Sequence, residues 1–222
     1  MAKKEVSAIV CAYNEGPRIS NVLNSLLKSK NISEIIVIDD GSTDDTKEQV
    51  MKFKKIKYFK NNKNKGKGYS MDIGVKKAKH NLIFFCDADL RKFNKKIVDK
   101  IIEPVLKGKA DMSIGLRKRA SYNFMIKFKK LSLPFMISGE RILHKSSWDK
   151  IPNYYKSMYK IETGINYFAM KYNLRVTYRQ FDYTITIKEH KYNLLKCLEQ
   201  RISLSKHLFL AHLKYNIYNR WF

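Results

Sequence analysis

Two aspartates one residue apart close the apolar run Leu82-Ile83-Phe84-Phe85-Cys86-Asp87-Ala88-Asp89. If the extended backbone of that run persists, side chains two positions apart project to the same side, so Asp87 and Asp89 can share one cation. Carboxylate oxygens favour hard divalent ions, and Mg²⁺ is usually held by one or two carboxylates together with substrate phosphates and water. A lone Asp-x-Asp is more often a solvated loop or a helix cap. Its place at the carboxyl end of a buried strand, beside other acidic strand ends, turns the balance toward chemistry.

A second acidic strand end lies in Ile35-Ile36-Val37-Ile38-Asp39-Asp40-Gly41-Ser42-Thr43-Asp44. Gly41 suits a tight turn, and Ser42, Thr43 and Asp44 are candidate helix caps. Helix-start grammar accounts for Thr43 and Asp44 but does not need Asp40, which is placed to accept hydrogen bonds from a base or ribose. The stretch Asn64-Lys65-Gly66-Lys67-Gly68 precedes a helix; its glycines permit close backbone approach, and its lysines and the helix N-terminus favour phosphate or an electron-rich base edge. It lacks the full P-loop spacing, and no G-x-G-x-x-G follows the first strand, which removes the ATPase and dinucleotide readings.

These residues need a scaffold that brings separate strand ends together, and the apolar pattern supplies one. Val6 to Ala12 and Ile35 to Ile38 read as strands flanking a helix that carries Ile19, Val22, Leu23, Leu26 and Leu27. A strand at Ile56 to Phe59, a helix from Gly68 to Lys79, the run Leu82 to Cys86, a helix with Ile97, Ile101 and Val105, and a strand at Met112 to Ile114 continue the rhythm. Apolar strands alternating with helices predict a doubly wound, mostly parallel α/β sheet covered on both faces. Ligands of such sheets bind beyond the carboxyl ends of the strands. Here those ends read Tyr13-Asn14-Glu15-Gly16, Asp39 to Asp44 and Asp87 to Asp89.

The second half is less regular. A basic stretch from Arg117 to Lys130 leads to a turn near Pro134, a strand at Arg141 to His144 and a helix around Ile161 to Tyr172. An alternating segment from Leu174 slips parity between Tyr178 and Phe181, which marks a bulge or turn. From Tyr192 the chain reads as helix, with Leu198, Ile202, Phe209, Leu213 and Ile217 in one stripe and Lys196, Arg201, Lys206 and Lys214 around it.

A chain of 222 residues accommodates one compact α/β domain and a small appendage. Cys11, Cys86 and Cys197 are far apart and show no metal-ligand spacing, which fits a reducing setting. The N-terminus passes into a strand without the apolar stretch of a signal peptide, and no apolar run approaches the length of a membrane span. A cytoplasmic location is therefore expected. The formal charge of +25, from 45 basic and 20 acidic side chains, concentrates anions such as nucleic acid, acidic lipid or phosphorylated metabolites. The lysines are spread along the whole chain among many Asn and Ile residues, so compositional bias explains the charge as well as any partner does.

The ordered set Val10-Cys11-Ala12-Tyr13-Asn14-Glu15, Val37 to Asp44, Gly66-Lys67-Gly68 and Phe85 to Leu90 resembles family 2 glycosyltransferases and their A-type nucleotide-sugar fold. The resemblance covers nearly all of residues 1–115, and implies a metal-dependent transferase of nucleotide-diphosphate sugars, of the UDP or GDP type. It implies that the nucleotide sugar is held by Ala12, Tyr13, Glu15, Asp40, Ser42, Lys67 and Asp87. It also implies that Mg²⁺ or Mn²⁺ is held by Asp87 and Asp89. Residues 116–190 are similar, more loosely, to the glucosyl-3-phosphoglycerate synthase and polyprenyl-phosphate sugar transferase branches. There Gly139, Glu140 and Arg141 match an acceptor loop, Glu162 an acidic residue facing the sugar, and His190 a late metal-binding histidine. With His190 as third ligand, Lys188 would face the donor diphosphate.

Residues 1–190 are thus expected to form one transferase domain, with a donor half at 1–115 and an acceptor half at 116–190. The helical segment 191–222 is expected to pack on the domain or on a second copy in a homodimer, with contact with a membrane surface from the cytoplasmic side as the alternative. Asp89 and Glu162 are the expected catalytic pair, and Glu162 or Glu140 would take the acceptor proton if the anomeric centre inverts. Arg117, Lys118, Arg119 and Arg141 suggest an anionic acceptor, with a lipid-linked one as the alternative. A sugar nucleotidyltransferase would need a Gly-rich, basic loop after the first strand, where Tyr13-Asn14-Glu15-Gly16-Pro17 stands instead. A nucleic-acid-binding protein would not place acidic strand ends in its cleft.

Overall fold

Strand and helix alternate through Arg117, as the apolar periodicity predicts. The computed structural model describes residues 5–118, 138–157 and 160–185, together with Lys206, Leu210, Leu213 and Ile217. In chain order these are β1 (Val6–Ala12), α1 (Gly16–Leu27), β2 (Ile32–Asp39), α2 (Thr46–Met51), β3 (Lys57–Lys60), α3 (Lys67–Lys77), β4 (Leu82–Asp87), β5 (Leu90–Arg91), α4 (Lys95–Leu106) and β6 (Met112–Arg117). There follow β7 (Arg141–His144), α5 (Lys145–Asp149), α6 (Ile161–Lys171), β8 (Val176–Phe181) and β9 (Thr184–Ile185). The parity slip between Tyr178 and Phe181 is neither a bulge nor a turn: β8 keeps an unbroken register with β6 through Phe181, and the break before β9 falls at Asp182 and Tyr183. Three elements, α2, β5 and α5, are too short to leave a periodic signature.

The large sheet runs β3-β2-β1-β4-β7-β6-β8. All its pairings are parallel except those of β7, which runs antiparallel to both β4 and β6. From β1 the chain first builds outward through β2 and β3, then returns to place β4 on the other side of β1. That reversal is the topological switch point where an open α/β sheet forms a crevice. The register puts Cys11 opposite Asp87 and Ala12 opposite Asp39, so two acidic strand ends flank the end of β1. Residues on both sides of position 115 feed this one sheet, because β6 and β8 pair from Met112–Val176 to Arg117–Phe181.

Alternate residues of β1 serve opposite cores. Val6, Ala8 and Val10 pack with Ile19, Val22, Leu23 and Leu26 of α1 and Val98, Ile101 and Val105 of α4. Ile9 joins the other face, with Met71 and Val75 of α3, Trp148 of α5 and Ile161 and Ile165 of α6. Each fully buried aliphatic side chain contributes about 1.5–3 kcal/mol. The sheet is therefore a rigid platform held from both sides. Lys188, His190, the turn near Pro134 and most of the basic stretch 117–130 lie outside the described residues. So does 191–222, apart from four positions that are helical and exposed.

Candidate active site

The end of β1 is tied to the end of β2 through backbone and side chain. Asp40 N donates to Ala12 O at 2.8 Å, and Asn14 N donates to Ser42 Oγ at 2.9 Å. Asn14 Oδ1 accepts from Thr43 N at 2.9 Å. Asp39 is fully buried and satisfied, accepting from Ser42 N at 2.7 Å and from Tyr58 OH at 2.5 Å. Gly41, with φ +82° and its Cβ position 2.8 Å from the Lys63 backbone, makes the turn possible. Asp44 spans two helix starts, receiving Gly16 N and Thr46 N, so its expected capping task is real and double.

Asp40 is buried, and its carboxylate accepts from Asn61 Nδ2 at 2.8 Å, Lys65 N at 2.9 Å and Gly66 N at 2.7 Å. It clamps the glycine loop, and thereby fixes where α3 begins. Glu15 is also buried, with Oε2 2.6 Å from Arg18 Nε and its own N–H donating to Thr46 Oγ1 at 2.9 Å. Tyr13 is partly exposed beside it at the mouth of the crevice, and Ala12 is buried beneath.

Lys67, the first residue of α3, reaches across the crevice. Its ammonium lies 2.6 Å from Asp87 Oδ1 at the end of β4 and 2.7 Å from Glu162 Oε1 in the first turn of α6. Burial opposes its charge, but Asp87 and Glu162 outweigh that and hold its pKa well above the ordinary lysine value. Three elements far apart in sequence thus meet at one charged point. Asp89 sits two residues beyond Asp87, partly exposed.

Gly139, Glu140 and Arg141, expected from the sequence to form an acceptor loop, approach the same point from β7. Because β7 is antiparallel to β4, its beginning lies at the edge where β4 ends, and Arg141 pairs with Phe85. A Cβ on Gly139 would stand 2.2 Å from Asp87 Oδ1, so the loop backbone packs directly on that carboxylate. Glu140 is buried; its Oε2 accepts from Tyr183 OH at 2.6 Å and Ser138 Oγ at 2.8 Å, while Oε1 has no hydrogen-bond partner among the described residues. Burial and the nearby charge of Asp87 push its carboxyl pKa up.

Arg141 is fully buried. Its guanidinium donates to Ser138 O at 2.7 Å through Nη2 and to Asn166 Oδ1 at 2.9 Å through Nη1. It shapes the loop from the interior.

The structure therefore brings Asp87, Lys67, Glu162, Gly139 and Glu140 together, with Asp40, Ser42 and Arg141 bracing the loops that carry them. Asn61, Asn166 and Tyr183 are braces that the sequence reading missed. Asn166 had left a signal, since it lies one helical turn after Glu162 on α6. Asn61 and Tyr183 had left none.

The donor set suits a hard divalent ion: two carboxylates at a strand end, with no thiolate, because burial pushes the Cys86 thiol pKa well up. Among the described residues no group of three or more His, Cys, Asp and Glu side chains is gathered for a metal. Further ligands would come from His190, which lies outside the described residues, or from phosphate and water.

The pattern of glycosyl transferase family 2 matches residues 7–175. An uncharacterized protein of Methanocaldococcus jannaschii is 36% identical over 118 residues, 52% of this chain and 47% of that protein. The processive diacylglycerol beta-glycosyltransferase of Mycoplasma genitalium is 29% identical over 197 residues, 81% of this chain and 56% of that one. The chain spans about half the length of these relatives. A structure of glucosyl-3-phosphoglycerate synthase from Mycobacterium tuberculosis, in complex with Mn²⁺, uridine-diphosphate-glucose and phosphoglyceric acid, superposes with a TM-score of 0.78 at 18% identity. It covers 96% of this chain and 80% of the synthase, and shares its A-type fold. With the crevice, its acidic strand ends and a match across most of its length, the chain belongs to glycosyl transferase family 2.

Proposed function

We propose that this protein transfers a sugar from a nucleoside diphosphate sugar, of the UDP or GDP type, to an anionic or lipid-linked acceptor. The observation that carries the reading is the convergence of Asp87, Lys67 and Glu162 on one point of the crevice beyond β1 and β4. Mg²⁺ or Mn²⁺, held by Asp87 and Asp89, would supply stabilisation of the negative charge that develops on the departing nucleoside diphosphate.

Lys67 adds a positive charge on a backbone pinned at the first turn of α3, so once its side chain meets the bound diphosphate little further reorganisation is needed as that charge grows. Lys188 has the same task from the sequence reading. Ala12, Tyr13 and Glu15 line the end of β1 where the nucleoside would lie, and Asp40 and Ser42 keep that floor rigid. Glu162 faces the sugar position from α6. If the anomeric centre inverts, Glu162 or Glu140 takes the acceptor proton; if it is retained, no base is demanded there.

The Mn²⁺, uridine-diphosphate-glucose and phosphoglyceric acid of the mycobacterial structure support the donor class, the metal and an anionic acceptor. The diacylglycerol enzyme of Mycoplasma genitalium supports a lipid acceptor, which would place the reaction at the cytoplasmic face of a membrane.

A thermal-shift panel of UDP, GDP and their sugars, with and without Mg²⁺ or Mn²⁺, tests the reading, because a ligand specific for the native state raises the melting temperature. A rise that requires both nucleotide and metal is expected. No response to any pair would sink the assignment.

A further inference from the structure

Lys67 stands where a metal ion would compete with it. Its ammonium is within 2.7 Å of oxygens on both Asp87 and Glu162, and the Glu162 side chain is only 8% exposed. Two carboxylates brought to one point, Glu162 nearly buried and Asp87 30% exposed, repel unless a cation lies between them. Neither partner can easily swing away. Gly139 packs its backbone on the Asp87 carboxylate from another side, and the start of α3 is pinned by the Asp40 bonds to Lys65 N and Gly66 N. The next residue, Gly68, has its Cβ position 2.7 Å from the Lys156 backbone, which holds the same turn against the segment leading to α6.

We propose that Lys67 is a resident counter-cation that occupies Asp87 in the free protein and excludes metal from the Asp87–Asp89 pair until a nucleoside diphosphate draws it away. The inference rests on the reading of this crevice as a metal-assisted donor site. An ammonium has three donors, and two are engaged by Asp87 and Glu162. An arriving diphosphate gives Lys67 a new anionic partner and simultaneously offers phosphate oxygens to the ion. Metal and nucleotide therefore load together. The exchange is made by the Lys67 side chain, since the backbone around it is fixed.

Calorimetric titration of Mn²⁺ alone, and of Mn²⁺ with UDP present, into the full-length wild type, Lys67→Met and Lys67→Arg tests the proposal. Wild type should bind Mn²⁺ at least about tenfold tighter with UDP than without it. Removing a unit charge at this range shifts a neighbouring ionic equilibrium by about ten- to a thousandfold. Lys67→Met should accordingly bind Mn²⁺ alone about tenfold or more tighter than wild type, and Mn²⁺ alone should raise its melting temperature. Lys67→Arg keeps the charge and should behave as wild type toward Mn²⁺ alone.

If the Met variant melts below the assay temperature, Lys67→Gln, neutral but still a hydrogen-bond donor, carries the same expectation. Metal-dependent UDP binding by wild type, with no gain in metal-alone affinity in the neutral variants, overturns the role of Lys67 and leaves the donor site standing. No metal-dependent UDP binding by wild type overturns both.

Discussion

Gly139 owes its place to the side chain it lacks. A methyl group there would sit 2.2–2.4 Å from the Asp87 carboxylate atoms, a separation that forces the carboxylate to move. Gly139→Ala should therefore lower nucleotide-dependent metal affinity by about 10–100-fold, as loss of a residue that orients a ligand does. Titration of Mn²⁺ with UDP measures it, and an unchanged affinity would show that Asp87 has room to adjust. Asp89→Ala removes a partly exposed carboxylate, and metal-dependent sugar transfer should be abolished while the variant still melts cooperatively. Transfer at the wild-type rate would remove Asp89 from the proposed metal site. The meeting of Asp87 with Lys67 was legible because residue type, strand end and glycine loop coincide in the sequence. The need for Gly139 was not, since the clash depends on β4 and β7 being neighbours, which no local pattern encodes.

At the scale of elements, the sheet's two edges divide the labour. The carboxyl ends carry the site, and the opposite edge is stitched by Glu34 near the start of β2. Its carboxylate accepts from Ser7 Oγ of β1 at 2.6 Å, Lys57 Nζ of β3 at 2.6 Å and Lys79 N ahead of β4 at 2.9 Å. Burial opposes its charge, but Lys57, Ser7 and the Lys79 amide outweigh burial and lower its pKa in the folded protein. A depressed folded-state pKa stabilises fully above the unfolded glutamate value of about 4.3, and this stabilisation is lost as pH falls through the folded value. Glu34→Gln should therefore lower the melting temperature at pH 7 and narrow the gap to wild type below pH 4.3. A gap that does not change with pH would mean that Glu34 contributes packing and no charge. The strands and long helices of this sheet were readable from period alone. The direction of β7 was not, because Arg141-Ile142-Leu143-His144 would look the same in either orientation. That reversal is what brings Gly139 and Glu140 to the end of β4 beside Asp87.

At the scale of the whole molecule the question is what the +25 charge and the C-terminal segment do together. Lys206, Leu210, Leu213 and Ile217 are helical and exposed, and spacings of four, three and four residues put them along one face. The apolar members are large and open, at 37%, 43% and 51% exposure. Of the stripe read from the sequence, Leu213 and Ile217 are among these described positions, and both face outward. Among the described residues no helix is long and apolar enough to cross a membrane. An exposed apolar face with Lys206 at its start suits the boundary of an anionic bilayer instead, where apolar insertion and charge attraction add. The full-length protein should float with vesicles containing phosphatidylserine and stay behind with phosphatidylcholine alone. Leu210→Asp with Leu213→Asp and Ile217→Asp should abolish flotation while UDP- and Mn²⁺-dependent stabilisation is retained, because these positions are remote in sequence from the donor loops. Raised salt should weaken the wild-type interaction only in part, since the inserted apolar face is not screened. Complete release by salt would assign the association to charge alone. Retention by the triple variant would place the contact elsewhere on the basic surface.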